Sequence, residues 1–153
     1  MKTNSRSAFT LLEILIVITI IVILSALILA AAHGVQVKGA RSRASAEIQA
    51  LAAALESYKA DNGDYPSNSG SYSGTNGNSN LVSALMPTNG SKVYFEFKTN
   101  SLDGNNNYLD PFGNPYCYNY TNGSLNNGTN NYDLWSYAAD STYSQTNSCI
   151  KNW

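Results

Sequence analysis

An uninterrupted apolar segment near the N-terminus constrains the fold of this chain more than any other feature. Ile14–Ala32 spans 19 residues, of which only Thr19 and Ser25 are polar. As an α-helix the segment would be about 28 Å long, close to the hydrocarbon thickness of a bilayer. A core helix of a soluble domain normally keeps a polar face, and this segment has none. We therefore predict one membrane-spanning helix.

The residues before the apolar segment predict its orientation. Lys2 and Arg6 favour the cytoplasmic side for the short N-terminal flank, so the rest of the chain is expected on the opposite side. The alternative is a conventional secretory signal that is cut after small residues such as Ala30-Ala31-Ala32.

Glu13 is the unusual residue of this region. A carboxylate at the edge of an apolar helix is costly unless it is paired, and it is a functional candidate for that reason. A cut between Ala8 and Phe9 would create an α-amine one helical turn from Glu13. In a bundle of identical helices, Glu13 of one copy could then neutralise the amine of its neighbour. Solvation of Glu13 at the depth of the lipid headgroups is the alternative.

The rest of the chain predicts an α+β fold, in which a long N-terminal helix packs on a small antiparallel sheet. Apolar residues at helical spacing predict that the helix continues, and Asn62-Gly63 predicts its end. This stripe comprises Ile48, Leu51, Ala52, Leu55 and Tyr58. A short helix over Leu81–Met86, capped by Asn80, is expected next. The predicted strands are Val93–Phe97, Tyr116–Tyr120 and Tyr132–Tyr137.

The N-terminal residues also carry a family resemblance. Ala8-Phe9-Thr10-Leu11-Leu12-Glu13, followed by the apolar segment, resembles the signature of type IV pilins and pseudopilins. The resemblance implies that a prepilin peptidase cuts between Ala8 and Phe9 and methylates the new amine of Phe9. It also implies that Glu13 serves assembly into a filament. The chain departs from the family at Ala8, where Gly is usual.

Motifs further along the chain resemble the major pseudopilin of type II secretion systems. They are Glu47–Asn62 with Tyr65-Pro66, Asp110–Tyr116, Tyr132–Asp140 and Ile150–Trp153. The resemblance implies a pilin-like order of a leader (1–8), a transmembrane and filament-core helix (9–33), its amphipathic continuation (34–62) and a periplasmic α/β domain (63–153). It implies a single-pass protein of the inner membrane that polymerises with itself into a pseudopilus. The implied partners are the prepilin peptidase, the inner-membrane assembly platform, minor pseudopilins and the membrane.

Two stabilising devices are expected near the C-terminus. The resemblance implies a calcium site with the Asp140 side chain and the Tyr137 carbonyl as ligands. The loop after Asp140 lacks the further aspartates of the family, so a weak site at best is predicted. In an oxidising compartment, Cys117 and Cys149 favour a disulfide, which would contribute roughly 2–4 kcal/mol.

Other functional classes fit the sequence less well. A type IV pilus or competence-type pilin is the nearest alternative, and a sugar-binding module is a second one because the chain is rich in Tyr and Asn. Without Lys2 and Arg6 the chain has seven basic against ten acidic residues, which argues against a nucleic-acid partner. One His and two Cys, with no nucleophile beside a base, argue against an enzyme.

Overall fold

The structure is a computed structural model that describes residues 9–67, 78–120, 126–128, 131–139 and 149–153, with the backbone alone for 30–33. Its elements are α1 (Leu11–Asn62), α2 (Ser79–Leu85), a short 3-10 helix (Thr99–Ser101), β1 (Cys117–Asn119), β2 (Asp133–Ser136) and β3 (Ile150–Lys151). The chain divides into two compact units, Met1–Lys38 and Gly39–Trp153, and α1 runs through both. The predicted α+β class is confirmed.

In the first unit, α1 carries its apolar side chains on all sides. This helix is long and apolar enough to cross a membrane by length and composition. From Phe9 to Leu29 the large apolar side chains are between 49% and 84% exposed. An all-round apolar surface of this size belongs in lipid or against other helices, because water would be ordered around it.

In the second unit, the predicted apolar stripe of α1 forms one wall of the core. Ile48, Leu51 and Leu55 are fully or almost fully buried, while Ala52 and Tyr58 are partly buried against them. Each buried leucine contributes roughly 1.5–3 kcal/mol. The helix ends as predicted at Gly63, whose φ of +85° suits glycine and whose N–H donates to the Lys59 carbonyl at 2.8 Å.

The opposite wall is a three-stranded antiparallel sheet in the order β1-β2-β3. β1 and β2 pair with Tyr118 opposite Leu134, and β2 and β3 pair with Ser136 opposite Ile150. The Tyr118 and Leu134 side chains join the core cluster that contains the α1 leucines. The strand predictions at 116–120 and 132–137 are therefore confirmed in place, with shorter bounds. β3 was not predicted, because two residues carry no alternation.

Two local predictions are wrong. Val93–Phe97 is not a strand, because the N–H groups of Tyr94 and Phe95 both donate to the Leu85 carbonyl and so join this segment to the end of α2. Asn80 does not cap α2, which begins earlier, at Ser79. The preceding Asn78 makes no side-chain cap either, because its buried amide bonds the backbone of Tyr108 and Tyr116.

Candidate functional site

The N-terminal end of α1 holds the residues that the sequence singled out for processing and assembly. Ala8 lies outside the described residues. Phe9 is 79% exposed and precedes the first turn of the helix. A cut after Ala8 would therefore place a new α-amine beside an accessible helix terminus.

Glu13 is exposed and caps its own helix. The Thr10 N–H and the Thr10 hydroxyl donate to Glu13 Oε2 at 3.0 and 3.1 Å, and the Glu13 N–H donates to Thr10 Oγ1 at 3.2 Å. This reciprocal arrangement is a capping box, which satisfies N–H groups that a helix terminus otherwise leaves unpaired. Sequence reasoning missed Thr10, although the spacing Thr10-x-x-Glu13 is the usual signal for the motif.

The capping box also sets what Glu13 can do chemically. Both Thr10 bonds go to Oε2, so Oε1 makes no hydrogen bond with the described residues. A carboxylate can accept from several donors at once, and a cation at Oε1 would not require the helix cap to open. The pairing of Glu13 with an amine of another copy stays a prediction, and the cap leaves Oε1 available for it.

A second carboxylate, Glu47, ties α1 to the Asp110–Tyr116 motif. It accepts from the Tyr116 hydroxyl at 2.7 Å and from Arg43 Nε at 2.9 Å. Tyr116 is fully buried, and burial together with its bond to Glu47 raises the pKa of Tyr116. The bond joins residues that are 69 positions apart, so it fixes the turn of α1 that faces the sheet.

Asp110 links the turn at 110–114 to the end of β2. Its Oδ1 accepts the N–H groups of Phe112 and Asn114, both at 2.9 Å, and its Oδ2 accepts the Ser136 hydroxyl at 2.6 Å. The Ser136 oxygen in turn accepts the Ala138 N–H at 2.9 Å. Asn114 Nδ2 donates to the Ala138 carbonyl at 2.7 Å, which holds Ala138 at a φ of +53°. We call these four residues, Asp110, Asn114, Ser136 and Ala138, the Asp110 network.

Replacing Asp110 by Ala is expected to lower the free energy of unfolding by about 3 kcal/mol, because the buried Ser136 hydroxyl and the part-buried N–H groups of Phe112 and Asn114 lose their acceptor. Asp110→Asn is the matched control. It keeps an acceptor at Oδ1 and removes the charge whose burial raises the pKa of Asp110, so its cost should stay below about 1.5 kcal/mol. Denaturant unfolding of the full chain in detergent micelles measures both. An alanine variant as stable as the asparagine variant would contradict this role.

The predicted calcium site is only partly covered by the structure. Tyr137 is buried directly after β2, whereas Asp140 lies outside the described residues. Calcium needs six to eight oxygens, and the nearby Asp110 carboxylate is already engaged by its three donors. In the part of the chain that the structure describes, no group of three or more His, Cys, Asp or Glu could hold a metal. Those residues do not make a calcium site by themselves, and the site stays a prediction.

The two cysteines lie in one small cluster with Trp135 and Tyr137, and both are reduced thiols in the structure. Burial raises the pKa of Cys117 to about 12, which disfavours the reactive thiolate. Cys149 precedes β3 and lies close enough to Cys117 to add to the rise in the pKa of Cys117. The predicted Cys117–Cys149 bond is not present here and stays a prediction.

Comparison with known proteins covers both units. Residues 3–29 match the prokaryotic N-terminal methylation motif, which includes the capping box and most of the apolar segment. Residues 33–153 match the family described as type II secretion system (T2SS), protein G. The chain belongs to the protein G family of type II secretion systems. The resemblance that the motifs indicated is confirmed.

Two members of the protein G family align with nearly the whole chain, and others align with part of it. The type II secretion system core protein G of Pseudomonas aeruginosa is 35% identical over 158 residues, covering 100% of this chain and 99% of that protein. The protein of the same name from Escherichia coli K12 is 33% identical, with 99% and 93% covered. A relative from Klebsiella michiganensis is 42% identical over 66 residues, 43% of this chain and 46% of that protein. No solved structure matches.

Proposed function

We propose that this protein G chain is a structural subunit of a type II secretion pseudopilus, which assembles from the inner membrane and drives the export of folded proteins. One observation carries the proposal. A methylation motif and an all-round apolar helix stand at one end of a chain whose remainder matches protein G. A lone membrane anchor needs neither the methylation motif nor a carboxylate in its first turn.

Packing between the apolar helices of neighbouring copies holds the subunits together. Burial of apolar surface contributes about 25 cal/mol per Å² relative to water. In the bilayer, lipid already covers the side chains from Phe9 to Leu29. Extraction into a filament is therefore favourable only if neighbouring copies replace the lipid contacts.

Processing prepares the subunit for this exchange. Prepilin peptidase cuts between Ala8 and Phe9, and the new amine becomes available to Glu13 of another copy. Each such pair neutralises two charges that would be expensive inside an apolar filament. The second unit is then on the periplasmic side, and the assembly platform and minor pseudopilins are the partners of the growing fibre.

Deletion of the encoding gene in its own host is expected to abolish the appearance of secreted proteins outside the cell, while the same proteins accumulate in the periplasm. Complementation with the full chain should restore export. Mass spectrometry of the complementing protein should show a mature chain that begins at methylated Phe9.

The nearest alternative predicts a different outcome. A type IV or competence-type pilin would leave protein export unchanged and would remove surface filaments or DNA uptake instead. Normal export in the deletion strain, with the remaining secretion genes intact, would therefore contradict the proposed function.

A further inference from the structure

An exposed turn follows α2 and contains Asn89 and Gly90. Asn89 Oδ1 accepts the Ser91 N–H at 3.1 Å, which folds the carboxamide back over the backbone of the next two residues. Gly90 has a φ of +83°, and nothing within 4 Å would meet a Cβ added to it. Within the described part of the chain, the Gly90 N–H makes no backbone hydrogen bond.

We infer that Asn89 is a site of spontaneous deamidation. The Gly90 nitrogen loses its proton to hydroxide and attacks Asn89 Cγ, forming a C–N bond. The Cγ–Nδ2 bond breaks, and ammonia leaves a five-membered succinimide. Water then opens either carbonyl and gives aspartate or isoaspartate. The balance is one water consumed and one ammonia released, with no change of oxidation state.

The nucleophile and its target are both accessible at Asn89. Glycine offers no side chain to block the approach of its nitrogen, and its backbone freedom permits the closed ring. Because the Gly90 N–H makes no backbone hydrogen bond, the attacking nitrogen has no such bond to break. Asparagine is a thermolabile residue in general, and these conditions remove the usual protection of a folded chain.

Asn62-Gly63 has the same sequence but the opposite environment. The Gly63 N–H donates to the Lys59 carbonyl at 2.8 Å, so the attacking nitrogen is engaged. The Asn62 amide donates to the Tyr58 carbonyl at 2.9 Å and to the Tyr94 hydroxyl at 3.0 Å. Reaction would break three hydrogen bonds at the helix terminus, so Asn62 is protected.

Asn127-Gly128 is a second internal comparison. The Asn127 N–H donates to the buried Asp133 carboxylate at 3.0 Å, and its side-chain amide donates to the Tyr132 carbonyl at 3.3 Å. The side-chain bond would have to break before ammonia could leave Asn127, so this residue is expected to react more slowly than Asn89. Two further Asn-Gly pairs, at 76–77 and 122–123, lie outside the described residues.

Deamidation at Asn89 would change the surface of every subunit that it reaches. It adds one negative charge close in sequence to Lys92, which pairs with Asp61 on α1 and lies over the Tyr94 ring. Isoaspartate also inserts an extra backbone carbon into the turn. Old filaments would therefore carry a more negative face beside the end of α1 than new ones.

The test is incubation of the full chain in detergent micelles at mildly alkaline pH for several days, followed by tandem mass spectrometry that localises each modified residue. Asn89 is expected to deamidate several-fold faster than Asn62 and Asn127, with isoaspartate among the products. Equal rates at the three sites, or an intact Asn89, would overturn the inference.

Two controls separate the effect of the folded structure on the deamidation rate from the effect of the Asn-Gly dipeptide itself. In denaturant the three Asn-Gly pairs should react at similar rates, since all share the same dipeptide. Asn89→Gln should stop the reaction at this position in the folded chain, because its longer side chain would have to close a six-membered ring. A rate at Asn62 in the folded chain that matches its denatured rate would also contradict the proposed protection.

Discussion

Replacing Glu13 by Gln is expected to abolish incorporation of the subunit into filaments while leaving cleavage after Ala8 intact. Gln keeps the size of the side chain and serves the capping box as Glu does, so the helix terminus stays formed. It lacks the charge that would neutralise the amine of a neighbouring Phe9. An unpaired ammonium in an apolar filament costs several kcal/mol, which is enough to prevent assembly.

The experiment is co-expression with a prepilin peptidase and an assembly platform. Electron microscopy and a shearing assay then measure filaments, and the mass of the mature chain measures processing. Glu13→Ala is the second variant, since it removes the charge and the cap together. If the negative charge of Glu13 is what assembly requires, both variants are processed and neither forms filaments. Normal filaments from Glu13→Gln would reject the charge pairing and leave capping as the role of Glu13.

Raising the pH from about 10 to about 12 is expected to unfold the second unit completely. Burial raises the pKa of Tyr108 and of Tyr132 to about 12. Burial likewise raises the pKa of Tyr65, Tyr116 and Tyr118, with a hydrogen bond to Glu56 or Glu47 adding to it at Tyr65 and Tyr116. The unfolded chain ionises its tyrosines near pH 10, so above that pH it binds fewer protons than the folded chain.

The sign of the effect follows from this difference. A raised folded-state pKa contributes stability that is fully present below the unfolded pKa of about 10 and is lost as the pH rises through the folded value. A tenfold change in an ionisation constant corresponds to about 1.4 kcal/mol, and a domain has roughly 5–15 kcal/mol of stability in total. Five buried tyrosines with raised pKa values are therefore enough to consume the stability of this unit.

Near-ultraviolet circular dichroism and tyrosinate absorbance, followed together in detergent micelles, measure the transition. The part of the tyrosinate signal that comes from the buried hydroxyls should appear at the pH where the dichroism signal is lost, because these hydroxyls ionise only when the core opens. Tyr116→Phe is a useful variant, since it removes one of the buried hydroxyls and should move the midpoint upward. Smooth ionisation of all tyrosines near pH 10 with an unchanged dichroism signal would refute the prediction.

The helix and its boundaries could be predicted because their signals are local. The spacing from Ile48 to Leu55 defines a buried face, and Gly63 supplies the positive φ that ends a helix. The Thr10–Glu13 capping box is equally local and could have been predicted from its four-residue pattern. The fold class follows from such signals, because a helix with an apolar stripe must bury that stripe against another element.

The wrong predictions concern segments whose local structure depends on contacts with residues far away in the sequence. Val93–Phe97 is rich in aromatic residues, as strands often are, yet the N–H groups of Tyr94 and Phe95 bond the Leu85 carbonyl at the end of α2. Asn78 precedes a helix as a cap would, but the backbone of Tyr108 and Tyr116 offers its amide buried partners. In the Asp110 network, Ser136 bonds a residue 26 positions away. No pattern in the sequence predicts the hydrogen bond between Ser136 and Asp110. Propensity is a weak prior against tertiary contacts of this kind.

The last residues of the sheet have a consequence for the order of synthesis. Asn152 donates its N–H to the Leu134 carbonyl and accepts the Leu134 N–H, while its amide donates to the Tyr132 carbonyl. β2 therefore lacks its outer partner until residues 150–152 have left the ribosome. The apolar part of α1 is made first, so it leaves the ribosome while the second unit is still open. Folding of that unit is a late step, and the exposed edge of β2 is the part that chaperones would have to guard until then.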